Sequence, residues 1–192
     1  MQKKDVQPFI KTTTKNVIYK INFLTGTSVK QLCEDLCTHA LSNKEKLVDE
    51  LSSYIKREIK INDTIYTPRS KPIKQYPLSG GLERVTIKLN SSSFEFAYSL
   101  AHSLGWSAAK VVAYCIEQSM NDFDYLNSYI LKYLDSNLDE NRREMIKIII
   151  GDINKELNEE HTVTSLLLGI VEELKVPEQS FTEAVNHLVD SW

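Results

Sequence analysis

The sequence predicts a mainly α-helical protein that carries a short antiparallel β-ribbon and ends in a helical C-terminal module. Three observations predict it. Arg84-Val85-Thr86-Ile87-Lys88-Leu89 alternates apolar and polar residues strictly, the period of a half-buried strand. The pattern then switches to helical spacing through Phe94, Ala97, Leu100, Ala101 and Leu104. Beyond residue 120, apolar residues recur at helical spacing in an acidic background whose one proline is Pro177.

Each element has a local reason. Gly105 is expected to stop the first helix, since glycine tolerates the left-handed conformation of a C-terminal turn. Ser107 is placed to cap a second helix with the apolar stripe Val111, Val112, Cys115 and Ile116. A basic alternating strand, Leu100-Ala101 before the turn, Gly105-Trp106-Ser107 at the turn and Val111-Val112 after it together resemble the ribbon-helix-helix family of DNA-binding domains. The resemblance spans residues 83–120, about a fifth of the chain. In that family, strands from two copies pair antiparallel and the ribbon lies in the major groove. The resemblance therefore implies sequence-specific recognition of double-stranded DNA, with no enzymatic activity and no cofactor.

The physical logic of such a site can be read from the residues. Alternation sends Val85, Ile87 and Leu89 toward a core and Arg84, Thr86 and Lys88 to the opposite face. Arg and Lys reach guanine acceptors in the major groove, and Thr can donate, accept or touch a thymine methyl. The plainer reading of the same alternation is a solvated strand face in an α+β domain. The turn adds a second feature, because a helix start exposes backbone N–H groups and the positive end of the dipole. In the resembled family this turn clamps the DNA backbone, and Ser107 sits at the matching position. Its plainer role is to cap its own helix, and the two roles are compatible.

Charge is unevenly spread. Lys plus Arg is 23 against 26 acidic residues overall. Residues 1–90 hold 16 basic and 9 acidic residues, whereas residues 91–192 hold 7 basic and 17 acidic. One half is thus suited to an anionic partner and the other is not. A basic half suffices for phosphate binding even where the total is acidic.

The N-terminal half is read as a degenerate second copy over residues 14–58. Asn16 to Phe23 alternates, with Val17, Tyr19, Ile21 and Phe23 on one face and Asn16, Ile18, Lys20 and Asn22 on the other. Asn16, Lys20 and Asn22 would then join Arg84, Thr86, Lys88 and Ser107 as DNA-contacting candidates. Helical stripes follow at Leu32, Cys33, Leu36, Cys37 and Ala40, and at Leu47, Val48, Leu51 and Ile55, the last helix ending near Glu58. The helices superpose on the first unit at a shift of 64, the strands at 68, and Gly105 then falls opposite Leu41. Short internal similarities of this kind also arise by chance. If genuine, the two copies would pair within one chain as a tandem pseudo-dimer. Periodicity leaves Ile59 to Tyr66 open between a brief strand and part of a connection.

The expected organisation is a basic N-terminal unit (1–66), a Pro/Gly-containing linker (67–82), the ribbon-helix-helix unit (83–120) and an acidic helical module (121–192). The last module has stripes at Phe123, Leu126, Ile130, Leu131 and Leu134, at Met145 to Leu157, at Leu166 to Leu174, and after Pro177 at Phe181, Val185, Leu188 and Val189. One-sided stripes must be covered, so this module is the expected place for self-association or partner binding. Cys33, Cys37 and Cys115 lack zinc-finger spacing and read as buried apolar-stripe residues. His39, His102, His161 and His187 belong to no nucleophile pattern, and no glycine-rich phosphate loop or metalloprotease signature occurs. No signal peptide or membrane-spanning run is expected, which points to the cytoplasm. The expected function is transcriptional regulation or an accessory DNA-binding role on a plasmid or phage: repression, partition, conjugation or antitoxin action. If the repeat is genuine, the resemblance favours conjugation among these, because relatives with two ribbon-helix-helix units in one chain occur among conjugation accessory proteins. A helical protein-interaction adaptor is the alternative.

Overall fold

The structure, a computed structural model, describes residues 3–68 and 81–137 together with positions 140, 141, 144 and 148. Among the described residues the chain is mainly helical, with six α-helices and small antiparallel two-stranded ladders. It opens with β1 (Lys4–Val6) and β2 (Phe9–Lys11), followed by α1 (Thr12–Thr25), α2 (Val29–Ser42) and α3 (Lys44–Glu50). A 3-10 turn at Ser52–Tyr54 leads to β3 (Ile59–Ile61) and β4 (Thr64–Tyr66). Then come β5 (Leu82–Arg84), β6 (Ile87–Leu89), α4 (Ser91–Leu104), α5 (Ala108–Met120) and α6 (Phe123–Asn137). The chain divides into two compact units, Met1–Asn16 with Val29–Asn121, and Val17–Ser28 with Asp122–Trp192.

The first unit is organised by a ribbon. β1 pairs antiparallel with β6 (Lys4↔Leu89, Asp5↔Lys88, Val6↔Ile87), and β2 with β5 (Phe9↔Arg84, Ile10↔Glu83, Lys11↔Leu82). The register runs unbroken through both ladders, so Gln7 lies opposite Thr86 and Pro8 opposite Val85. The interruption has a simple cause. Val85 N donates to Pro8 O at 3.0 Å, but proline has no N–H with which to return the bond. Residues 4–11 and 82–89 therefore form one continuous ribbon with one hydrogen bond missing.

The inner face of the ribbon carries Val6, Ile10, Val85, Ile87 and Leu89, all buried. Beneath it, α2 packs on α5, α2 on β6 and α5 on β2. The helices contribute Leu32, Cys33, Leu36 and Cys37 from α2, and Val111, Val112, Cys115 and Ile116 from α5, all at helical spacing. Ser119 Oγ ties the pair by donating to Leu36 O at 2.8 Å. A two-stranded ribbon also has two outer edges whose N–H groups need acceptors. Buried carboxylates supply them. Glu34 on α2 accepts from Lys88 N (2.8 Å) and faces Lys3 Nζ (3.2 Å). Glu117 on α5 accepts from Lys11 N (2.9 Å) and Thr14 Oγ1 (2.7 Å).

The cysteines lie in this core. Burial pushes the Cys33 thiol up to about 12, with Glu34 adding to the rise and Lys15 opposing it. A hydrogen bond with Cys115, followed by burial, raises Cys37 as well. The unfolded chain releases its thiol proton near 9.0. Above that pH the unfolded state binds fewer protons than the folded one, so stability falls as pH rises toward 12, by about 1.4 kcal/mol per pH unit for Cys33. Denaturation midpoints compared at neutral and alkaline pH test this. Cys33→Val should flatten the alkaline decline.

The expected strand over Asn16–Phe23 is not a strand. These residues lie in α1, where Thr14, Ile18, Ile21 and Thr25 are buried and Tyr19 is 49% exposed. That spacing is helical, and the alternation of Val17, Tyr19, Ile21 and Phe23 was coincidental. The partner strand is instead Lys4–Lys11. The helix expected to run to Glu58 stops at Glu50, giving way to the 3-10 turn before buried Ile55. Ile59–Tyr66 is a hairpin whose turn residue Asn62 has φ 51°.

In the second unit, Gly26 follows α1 with φ 64°, and Asn22 Nδ2 donates to Thr27 O at 2.7 Å. α6 buries Leu126 and Ile130, as its stripe predicted. The stripes expected from Met145, Leu166 and Phe181 onward, and most of the linker over 67–82, lie outside the described residues. No helix among the described residues is long and apolar enough to cross a membrane.

Candidate functional site

The outer face of the ribbon is set by the same alternation that fills its inner face. Arg84, Thr86 and Lys88 are exposed on β5–β6, as the sequence predicted. Asp5, Gln7 and Phe9 are exposed on the partner strand, Phe9 to 51%. Directly opposed residues share a face, so the outer surface carries Phe9 beside Arg84, Gln7 beside Thr86 and Asp5 beside Lys88. Around it stand further cations held by carboxylates: Lys3 by Glu34, Lys11 by Glu117 (3.7 Å) and Lys15 by Glu83.

The turn between α4 and α5 is built as its residues dictate. Gly105 closes α4 in the left-handed conformation (φ 66°, ψ 34°). Ser107 caps α5, its Oγ accepting from Lys110 N at 3.2 Å. The first-turn N–H groups of Ala108 and Ala109 have no intrahelical acceptor by helix geometry. Trp106 packs against Tyr54 and Tyr114, and Lys110 Nζ lies 4.6 Å from the centre of its ring. Lys56 and Arg57 converge on the same turn. Their backbone N–H groups donate to Ser103 O (2.8 and 3.0 Å), and the Arg57 guanidinium donates to His102 O (2.8 Å). A Cβ on Gly105 would lie 3.4 Å from Lys56 Nζ. Three basic side chains, Lys56, Arg57 and Lys110, thus stand around this turn.

The remaining sequence candidates lie elsewhere. Asn16 is exposed on α1, Lys20 is half-buried there, and Asn22 spends its amide on Thr27. None belongs to the ribbon. Sequence reasoning missed Asp5, Gln7 and Phe9 because Pro8 breaks the strand pattern over an eight-residue run. It missed Lys56 and Arg57 because they were placed on a helix that ends earlier. A usable signal was present: Gly26-Thr27-Ser28 repeats the form of Gly105-Trp106-Ser107, 79 residues apart.

At that spacing, and not at the shift of 64 that set α2 on α4 and residues 44–58 on α5, the two segments share one order of elements. β1–β2, α1, a glycine with positive φ, Ser28 and α2 stand in the order of β5–β6, α4, Gly105, Ser107 and α5. Leu32, Cys33, Leu36 and Cys37 match Val111, Val112, Cys115 and Ile116, and every one is buried. Thr12-Thr13-Thr14 matches Ser91-Ser92-Ser93. The spacing is also the one antiparallel pairing requires. It relates Gln7 to the residue it faces, Thr86, and so places a two-fold relation at that pair. Comparison of the chain with protein-family models, curated proteins and solved structures gives no match.

Proposed function

We propose that the protein binds double-stranded DNA sequence-specifically, laying the ribbon of residues 4–11 and 82–89 in the major groove. The observation that carries the reading is the exposed face of Arg84, Thr86 and Lys88, on a two-stranded ribbon backed by two packed helices. A ribbon of this width fits the major groove, and these side chains offer hydrogen bonds to base edges. On this reading the chain holds two ribbon-helix-helix units, residues 4–42 and 82–120, closed on each other as a tandem pseudo-dimer. The Gly105–Ser107 turn supports it, because the α5 start with Lys56, Arg57 and Lys110 suits a backbone phosphate. A role as a transcriptional regulator or as a plasmid or phage accessory protein follows from such binding.

Titrating labelled duplex DNA across a salt series tests the proposal. The binding constant should fall about 10³-fold or more between roughly 50 and 200 mM salt if six or more phosphates are neutralised. Arg84→Ala and Lys88→Ala should each weaken binding to the preferred sequence by about 1–3 kcal/mol while leaving the melting temperature unchanged. Absence of duplex binding at low salt would leave the helical adaptor as the better reading.

A further inference from the structure

The outer face of the ribbon is built on a two-fold relation, yet its chemistry is not two-fold. Residues 79 apart occupy equivalent places about the Gln7–Thr86 pair. Arg84 is thus the counterpart of Asp5, Thr86 of Gln7, and Lys88 of Phe9. Two of these three positions change character completely: a guanidinium against a carboxylate, and an ammonium against a phenyl ring. All six side chains are exposed, whereas the buried inward positions all stay apolar, Val6 with Val85, Pro8 with Ile87 and Ile10 with Leu89. Core chemistry is repeated while surface chemistry diverges. That is the pattern expected when the core must close on itself but the outer face meets two different surfaces.

We propose that the target is a non-palindromic duplex site read by a single chain, with Asp5, Gln7 and Phe9 as its second set of specificity determinants. This rests on the DNA-binding reading above and extends it. At one end of the ribbon Arg84 and Phe9 stand side by side, matched to guanine acceptors and to the methyl group of thymine. At the other end Lys88 and Asp5 stand side by side, matched to guanine acceptors and to the amino group of cytosine. In the middle, Gln7 suits adenine and Thr86 tolerates either partner. A palindrome would present the same base to Arg84 and, across the dyad, to Asp5. A base that accepts from the guanidinium repels the carboxylate, so a palindrome satisfies one end at the expense of the other.

Selection from a randomised duplex library with the full chain tests this. The parent should enrich a sequence without internal two-fold symmetry. The triple variant Asp5→Arg/Gln7→Thr/Phe9→Lys gives both strands the same outer face and places an Arg/Lys pair at each end, so it should enrich an inverted repeat. Phe9→Ala provides a second arm that makes no new charge pair. It should lose preference on one side of the site only and bind the parent's sequence roughly tenfold or more weakly. Enrichment of an inverted repeat by the parent would overturn the inference while leaving DNA binding intact. So would a Phe9→Ala variant that selects the parent's site unchanged. Failure of the parent to retain any duplex would instead remove the DNA-binding reading itself, and this inference with it.

Discussion

Ile87→Ala is expected to lower the free energy of unfolding by roughly 2–5 kcal/mol, while Thr86→Ala, one residue away, changes it by about 0.5 kcal/mol or less. Ile87 is fully buried, stands opposite Val6 and lies in the strand that α2 packs against. Truncation removes three carbons and leaves a cavity that the ribbon cannot close, because its own hydrogen bonds and the Glu34–Lys88 N bond hold the backbone in place. Thr86 faces outward, where water replaces what is removed. Urea denaturation of both variants, with unchanged slope, measures the difference. Similar losses for the two would sink the assignment of inner and outer faces, and with it the proposed DNA-reading surface.

Removing the Glu117 side chain should cost about 2–4 kcal/mol, because two donors then lose their acceptor in a buried place. Glu117 Oε1 serves Lys11 N and Oε2 serves Thr14 Oγ1, both joining the N-terminal strand and its helix to α5. The Lys11 ammonium, 3.7 Å away and one-third exposed, adds little because solvent screens it. Glu117→Gln separates these effects. An amide keeps one acceptor oxygen for Lys11 N and turns the other position into a donor, which the Thr14 hydroxyl can accept from by rotating, so most of the loss should return. Hydrogen exchange at Lys11 offers a local readout, its amide becoming less protected in Glu117→Ala than in Glu117→Gln. Equal stability of Glu117→Ala and the parent would show that the carboxylate does not close this edge of the ribbon.

Much of the region from Leu82 to Met120 was legible from the chain alone. Strict alternation put Val85, Ile87 and Leu89 inside and Arg84, Thr86 and Lys88 outside, and the structure places them so. Gly105 and Ser107 end and begin their helices as read, since positive φ and N-capping are local requirements that one residue can meet. The buried stripe of α5 was equally plain. These features depend on residues within a few positions of one another, and sequence records such neighbours directly.

Pairing is a different kind of fact. Nothing near Arg84 states which segment will supply its partner strand, and the alternation at Asn16–Phe23 offered a false one. Two local cues misled together. A helix with buried Ile18 and Ile21 happened to alternate, and a strand containing Pro8 failed to look like one. Only the fold decided between them, because burying Val6 and Ile10 against Ile87, α2 and α5 requires the antiparallel register that Pro8 interrupts by a single bond. The same register fixes the 79-residue relation and sets Asp5 against Lys88 and Phe9 against Arg84. By itself, then, the sequence determined which residues of one strand face outward, where the helix after it ends and where the next begins. The tertiary structure decided what stands beside them, because long-range strand pairing is chosen by the burial of a whole core and not by any residue's neighbours.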